Sequence, residues 1–461
     1  MTCQPLHSYQ DAGLDFMLNR LYAHPQRKGG GLAADPGVGK TRIAAHAIDT
    51  LLALGEVNRV LIVGPPRPLL MTWPQEFVKW EIDRVIRPFG KGVIMPDAEI
   101  ESISRDSLHH AVCHAGRWDL IVVDESHGFK SWGTLRVKNI RKLLSRTPYR
   151  ICLTGTPQPN NAQDWFAQTY ILDDGAALGK GIGVFRANYM RQGGFHGRQW
   201  SMRDGVADTL VENIAHLWYR IKAEDHLDMP DLIVNDMYCQ MPATAQRIHA
   251  DLKKKLAAQL ENGNEILAMN AASAYAKLRQ VSNGRLYAAD PEGMPRPKGP
   301  RAVEKIHDEK IDMLMELLES LCGEQLLVFY HFKHDLATIK SRIKVCSEVH
   351  GDLTPAETMQ NIESWMAGKT QVLVAQCQAA AEGLNLQGRC RHAAWYGLPD
   401  ISALYTQGNA RIYRQGATSK TITIHRLMSE NSIEQVQKER LDGKLTDQAQ
   451  FLNRLKEWAR G

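Results

Sequence analysis

Short β-branched apolar runs alternate along this chain with helical stretches, and each run ends in a Gly-, Pro- or Asp-rich loop. Gly31 to Ala34, Arg59 to Val63, Leu120 to Val123 and Arg150 to Thr154 make one such set. Gln325 to Tyr330, Val345 to Val349, Val372 to Ala375, Ala393 to Tyr396 and Thr421 to His425 make a second. Unbroken apolar runs between helices are what strands buried on both faces require, so the pattern predicts parallel sheets flanked by helices. At ~150 residues per domain, a chain of 461 residues holds roughly three domain-sized units, or two large lobes with an insertion.

Between the two sets the period changes. Apolar residues recur at helical spacing from Leu210 to Trp218 and from Ala245 to Val281, where Ile248, Leu252, Leu256 and Leu260 share a face. A helical insertion is expected there, followed by an exposed linker in the Pro-, Gly- and charge-rich segment Gly284 to Arg301. Ile433 to Trp458 is a charged helical pattern whose Leu441, Phe451, Leu452 and Leu455 would brace the body. The expected division is a first α/β lobe over 1–175, a helical insertion and linker over 176–300, a second α/β lobe over 301–430 and C-terminal brace helices over 431–461.

Composition narrows the classes further. With 44% hydrophobic and 23% charged residues, bulk disorder, collagen and coiled coil fall away. The net charge of +5 neither demands nor excludes a polyanionic partner. The longest apolar run, Leu326 to Tyr330, is far shorter than a membrane span. The eight cysteines form no C-x-x-C pair and read as reduced, buried thiols. None pairs with histidine at zinc-ligand spacing. The polar opening segment lacks the apolar core of a signal peptide, so a cytoplasmic protein is expected, in a bacterial or phage-infected cell. Trp118, Trp165 and Trp218 read as packing residues.

Chemistry concentrates in three places. Ala34-Asp-Pro-Gly-Val-Gly-Lys-Thr41 follows a predicted strand and precedes the helical run Arg42 to Leu54. Its glycines let backbone N–H groups converge on phosphate oxygens, and the helix N-terminus adds partial positive charge. Lys40 would reach the β- and γ-phosphates of a nucleotide and Thr41 a Mg²⁺ ion. Leu120-Ile-Val-Val-Asp-Glu-Ser-His127 places two carboxylates at the end of an apolar strand. Alone, such a pair fits a solvated turn equally well; behind a buried strand with a phosphate loop upstream, Asp124 suits Mg²⁺ and Glu125 the activation of water. Arg411 and Arg414, three apart on a predicted helical face, would deliver guanidinium charge to the γ-phosphate. Spacing alone also allows a surface pair bridged to acids.

Taken in order, these segments resemble the motifs of superfamily-two helicases, and specifically of the Swi/Snf-type helicase-like ATPases. Leu6-His-Ser-Tyr-Gln10 is similar to the family's adenine-reading Gln segment, and GLAADPGVGKT to its phosphate loop. Val63-Gly-Pro-Pro-Arg67 with Trp73, Glu76 and Trp80, then DESHGFKS, then Leu153-Thr-Gly-Thr-Pro-Gln-Pro-Asn-Asn161 follow its pattern. So do Arg220-x-Lys222 with Met229-Pro230, Leu278-Arg-Gln-Val-Ser-Asn283, Glu382-Gly-Leu-Asn-Leu386 and Gln407-Gly-Asn-Ala-Arg-Ile-Tyr-Arg-Gln-Gly416. The last wording resembles the short branch seen in bacteriophages and prophages.

This resemblance implies two tandem RecA-like lobes and a DNA-dependent ATPase using ATP and Mg²⁺. It implies nucleotide contacts from Gln10, Gly37, Val38, Gly39, Lys40, Thr41, Arg42, Asp124 and Gly383, with Thr41 and Asp124 on the metal and Lys40, Glu125, Arg411 and Arg414 catalytic. Pro65, Arg67, Lys130, Thr154, Lys333 and Asn385 are the implied nucleic-acid contacts; an ordinary surface or turn role is open for each. The implied partner is double-stranded or branched DNA, engaged by a monomer that works beside nuclease or replication proteins. A strand-separating DNA or RNA helicase and a non-hydrolysing DNA-binding scaffold are the alternatives. Two departures stand out. Ala380 and Ala381 replace a usual glycine pair, and an aromatic expected near Leu398-Pro-Asp400 is absent, with Trp395 and Tyr396 upstream as substitutes.

Overall fold

The computed structural model describes residues 5–22, 29–90, 97–155, 162–193, 199–262, 265–288, 301–381, 386, 390–415, 417–445 and 448–460. The chain forms two compact units that divide in sequence between Met229 and Pro230.

The first unit carries β1 (Gly29–Ala34), β2 (Val60–Gly64), β3 (Ile86–Pro88), β4 (Ile100–Ser104), β5 (Leu120–Val123), β6 (Tyr149–Thr154), β7 (Met190–Gly193), β8 (Gln199–Met202) and β9 (Trp218–Ile221). Its helices are α1 (Ser8–Tyr22), α2 (Lys40–Ala53), α3 (Trp73–Lys79), α4 (Leu135–Leu144), α5 (Asp164–Asp173), α6 (Ile182–Tyr189) and α7 (Ala207–Ala215). The main sheet runs β3-β4-β2-β5-β6-β1-β9, parallel throughout, while β7 and β8 pair antiparallel. Because strand side chains alternate, Leu61, Val63, Ile121, Val123 and Cys152 enter one core cluster. Val60, Ile62, Leu120, Val122, Ile151 and Leu153 enter the other. Both faces are therefore buried, which is why these strands read as unbroken apolar runs.

The second unit carries β10 (Asp231–Cys239), β11 (Arg285–Tyr287), β12 (Val303–Lys305), β13 (Leu326–Tyr330), β14 (Ser347–Val349), β15 (Val372–Gln376), β16 (His392–Trp395) and β17 (Thr421–Ser429). Its helices are α8 (Ala243–Asn262), α9 (Glu265–Ser282), α10 (Glu309–Ser320), α11 (Lys333–Arg342), α12 (Pro355–Met366), α13 (Cys377–Ala381), α14 (Ser402–Asn409), α15 (Glu434–Leu441) and α16 (Gln448–Arg460). The sheet order is β10-β17-β16-β13-β15-β14, again parallel. Both units are thus parallel sheets flanked by helices, the tandem RecA-like architecture. Among the described residues no helix is long and apolar enough to cross a membrane.

The expected insertion over 176–300 is instead shared out. β9 adds to the first sheet, where Trp218 lies so close to Gly31 that a Cβ there would be 2.4 Å from the indole ring. β10 adds to the second sheet, pairing with β17 along its whole length. The helix expected from Leu210 to Trp218 stops at Ala215. The helical expectation survives in α8 and α9, and the C-terminal residues 431–461 pack on those helices: Phe451, Leu455 and Trp458 share a cluster with Leu256, Leu278 and Val436. The thiols also differ from expectation. Cys152, Cys377 and Cys390 are buried, but Cys113 and Cys322 are exposed.

Candidate active site

β1 runs directly into the phosphate-loop segment, where the backbone turns through two left-handed glycines, Gly37 (φ 92°) and Gly39 (φ 89°). A Cβ on Gly39 would lie 2.4 Å from Gln10 Nε2, so conformation and space both demand glycine. α2 starts at Lys40 with no side-chain cap, and an uncapped helix N-terminus presents its first N–H groups to an anion. Lys40 Nζ curls back over the loop, donating to Ala34 O at 2.6 Å and Asp35 O at 3.2 Å. Asp35 Oδ2 accepts from Ala223 N at 2.9 Å, which ties the loop to the chain just past β9.

Gln10 is fastened to the same loop. Its Nε2 donates to Val38 O at 2.9 Å, and its Oε1 accepts from Arg42 Nη1 at 3.1 Å and His7 N at 3.2 Å. Arg42 is buried, stacks on the Trp80 ring at 3.4 Å and donates to Pro5 O at 3.2 Å. Gln10, Val38, Gly39, Lys40 and Arg42 therefore form one connected patch around the loop.

Asp124 and Glu125 follow β5, one strand removed from β1 because β6 lies between them in the sheet. Both motifs consequently emerge at the same carboxyl edge, where ligand groups of open α/β sheets collect. The Asp124 carboxylate is held at both oxygens: Trp73 Nε1 donates to Oδ2 at 2.9 Å and Glu125 N to Oδ1 at 2.9 Å. Burial, reinforced by the neighbouring Glu125 charge, pushes its pKa up to about 6, against the opposing pull of the Trp73 hydrogen bond and the Lys40 charge. Glu125 adopts a left-handed backbone (φ 49°), a conformation costly for a non-glycine residue and frequent at functional sites. Its Oε2 lies 3.1 Å from His127 Nδ1. Ser126 is anchored below by Gln168, whose Oε1 accepts from its Oγ at 2.8 Å. Trp73 belongs to a quoted motif but received no role from sequence; the available signal was that a buried indole N–H needs an acceptor.

The expected nucleic-acid contacts fare unevenly. Arg67 and Lys130 are partly exposed, after β2 and after the short 3₁₀ turn Ser126–Phe129. Pro65 is buried. Thr154 is fully buried, with Oγ1 3.5 Å from His127 Nδ1, so its side chain supports the acidic loop and offers no surface for DNA. Lys333 opens α11 in the second unit, exposed and paired with Asp352 at 2.8 Å. Gly383 and Asn385 lie outside the described residues.

Arg411 and Arg414 do not share a helical face. α14 ends at Asn409, and both arginines lie in the hydrogen-bonded turns that follow, with Arg411 Nε donating to Gln407 O at 3.0 Å. The termination has a local cause: Gly408 and Asn409 are poor helix formers, and the Asn409 carboxamide is captured by Trp395 Nε1 at 2.9 Å. Trp395 and Tyr396 are themselves fully buried, Trp395 stacked on Phe329 at 4.4 Å, so neither replaces the missing surface aromatic.

Comparison with known families gives three matches along the chain. Residues 4–159 match the model described as "Type III restriction enzyme, res subunit", 94–285 the "SNF2-related domain" and 309–416 the "Helicase conserved C-terminal domain". The chain carries an SNF2-related domain followed by a helicase C-terminal domain, and belongs with the SNF2-type helicase-like ATPases as an ATP hydrolase. It is 26% identical over 448 residues to "Putative protein p41" of Acyrthosiphon pisum secondary endosymbiont phage 1, covering 92% of this chain and 94% of that protein. It is 23% identical to the "DNA repair and recombination protein RAD54B" of Gallus gallus over 91% of this chain but 52% of the chicken protein. A solved structure, the "Sulfolobus solfataricus SWI2/SNF2 ATPase core in complex with dsDNA", is similar over 96% of this chain and 92% of that one, at 19% identity and a TM-score of 0.44.

Proposed function

We propose that this protein is an ATP-driven translocase on double-stranded DNA that remodels DNA or protein–DNA complexes, with branch migration or reannealing among its outcomes. The observation that carries the reading is the convergence of the Lys40 loop and the Asp124–Glu125 pair on one sheet edge, one strand apart. Gly37, Val38, Gly39 and the α2 N-terminus bind the phosphates, Lys40 neutralises the β- and γ-phosphates, and the Gln10–Arg42 patch meets the base side of the nucleotide. The donor set fits a hard divalent cation: the Thr41 hydroxyl and a buried carboxylate beside a second carboxylate favour an oxygen-liganded Mg²⁺. Thr41 and Asp124 would hold that ion, which supplies charge neutralisation at the phosphates. Glu125, turned aside by its left-handed backbone and partnered by His127, is the group that takes the proton of the attacking water. Arg411 and Arg414 supply guanidinium charge to the γ-phosphate, and make turnover depend on the second unit.

Arg67, Lys130, Lys333 and Asn385 are the DNA contacts in this reading, all suited to phosphates rather than to base edges. Pro65 shapes the first of these segments. The test is ATP hydrolysis measured without nucleic acid and with duplex, single-stranded and branched DNA. Stimulation by duplex or branched DNA supports the translocase; stimulation confined to single strands favours a strand-separating helicase, and no hydrolysis at all sinks both.

A further inference from the structure

The Asp124 carboxylate is oriented by a residue with no assigned function. Trp73 is the first residue of α3 and follows a five-residue π-helical segment, Pro68–Thr72. Its backbone N–H closes that segment by donating to Pro68 O, and π-helical turns occur often at functional sites. The indole is completely buried in the core cluster that also holds Val38, Ile62, Leu69 and Val122, with the Phe77 ring 6.3 Å away. Packing of this kind fixes the ring, so its N–H points along a set line. That line ends on Asp124 Oδ2, 2.9 Å away, while Glu125 N holds Oδ1 at the same distance. The carboxylate is thus clamped against rotation by one backbone and one side-chain donor. The backbone donor is present whatever residue stands at 125; the indole is the part that sequence can change.

We propose that Trp73 is the positioning residue of the metal-side carboxylate: its indole N–H sets the rotation of Asp124 and thereby the affinity of the site for Mg²⁺. This inference rests on the reading of Asp124 as the carboxylate that holds the ion. A partner one bond behind a ligand typically changes metal affinity 10- to 100-fold when removed. The competing explanation is that Trp73 merely fills the core and its N–H takes the nearest acceptor. Shape and hydrogen bonding separate the two. Trp73→Phe removes the N–H together with part of the ring, whereas benzothienylalanine at position 73 removes the N–H and keeps the bicyclic shape.

The experiment measures the affinity of the full chain for a fluorescent ATP analogue as MgCl₂ is titrated, and again in EDTA. In both Trp73 variants the Mg²⁺ concentration giving the half-maximal gain in affinity should rise about 10-fold or more, while affinity in EDTA stays at the parent value. A parent-like Mg²⁺ response in the benzothienylalanine protein overturns the proposal, even where Trp73→Phe is affected or fails to fold, because packing alone then accounts for the residue. Asp124→Ala is the control for the underlying reading. If it keeps the full Mg²⁺ response, the site assignment itself is wrong and the role of Trp73 falls with it. If it loses the response while the Trp73 variants keep theirs, only the role of Trp73 is wrong.

Discussion

Asp124→Asn should abolish ATP hydrolysis and, unlike most losses at an active site, should gain stability relative to the parent as pH rises. In the folded chain the Asp124 pKa is raised from 3.8 to about 6 by burial and by Glu125. The folded state therefore binds this proton more tightly than the unfolded state, so its contribution to stability is full at low pH, falls as pH rises from 3.8 to about 6, and is lost above that. At about 1.36 kcal/mol per unit, keeping the carboxylate charged costs on the order of 3 kcal/mol at pH 7.5 and roughly half as much at pH 5. Asn removes the charge at both pH values. Its single oxygen cannot serve both Trp73 Nε1 and Glu125 N, and the stranded donor costs about 1–3 kcal/mol at either pH. That penalty cancels in the comparison. Urea unfolding of both proteins, without nucleotide or divalent ions, should show the variant improving by on the order of 1–2 kcal/mol relative to the parent between pH 5 and pH 7.5. An identical stability difference at both pH values would mean that burial does not hold the Asp124 carboxyl away from its charged form.

Other consequences concern turnover and the second unit. Lys40→Ala should lose nucleotide binding, because it removes a phosphate contact, whereas Glu125→Gln should bind ATP and fail to hydrolyse it; binding and single-turnover assays distinguish the two. Arg414→Ala should leave nucleotide affinity near the parent value and lower hydrolysis by ~10³-fold or more, and unchanged turnover would remove it from the active site. Glu434→Gln should destabilise the chain by about 3–5 kcal/mol, because Lys310, fully buried, is bonded to both Glu434 oxygens at 2.6 and 2.7 Å and among the described residues otherwise keeps only Asn283 Oδ1. Denaturation of Glu434→Gln and of the paired Lys310→Met/Glu434→Leu variant, which should recover much of the loss, checks this.

What was legible in the sequence follows the physics of burial. Strands β2, β5, β13 and β15 are buried on both faces and so announced themselves as apolar runs, and the phosphate loop is local chemistry that glycine spacing writes directly. β4 was hidden by Glu101, a buried carboxylate inside the strand whose oxygens accept from Arg117 and from Trp118 Nε1 at 2.7 Å. β9 and β10 were missed because their partners are remote: Trp218 sits opposite Gly31, and Asp231 opposite Thr421. No local period encodes which sheet such a strand will join. At the candidate site, motif order singled out Lys40, Asp124 and Glu125, which follow two strands of one parallel sheet. The clamp from Trp73 and the burial of Thr154 depend on tertiary contacts, whereas the end of the helix at Asn409 carried a local sign in Gly408 and Asn409, completed by the contact from Trp395.

In the proposed function the protein moves along duplex DNA without separating its strands. The most direct test is ATP-dependent displacement of a third strand from a triplex, run beside a forked duplex of the same sequence. Displacement of the third strand with the fork left paired is the predicted result, abolished by Glu125→Gln. Efficient separation of the fork while the triplex on a blunt duplex stays intact would contradict it and identify a strand-separating helicase.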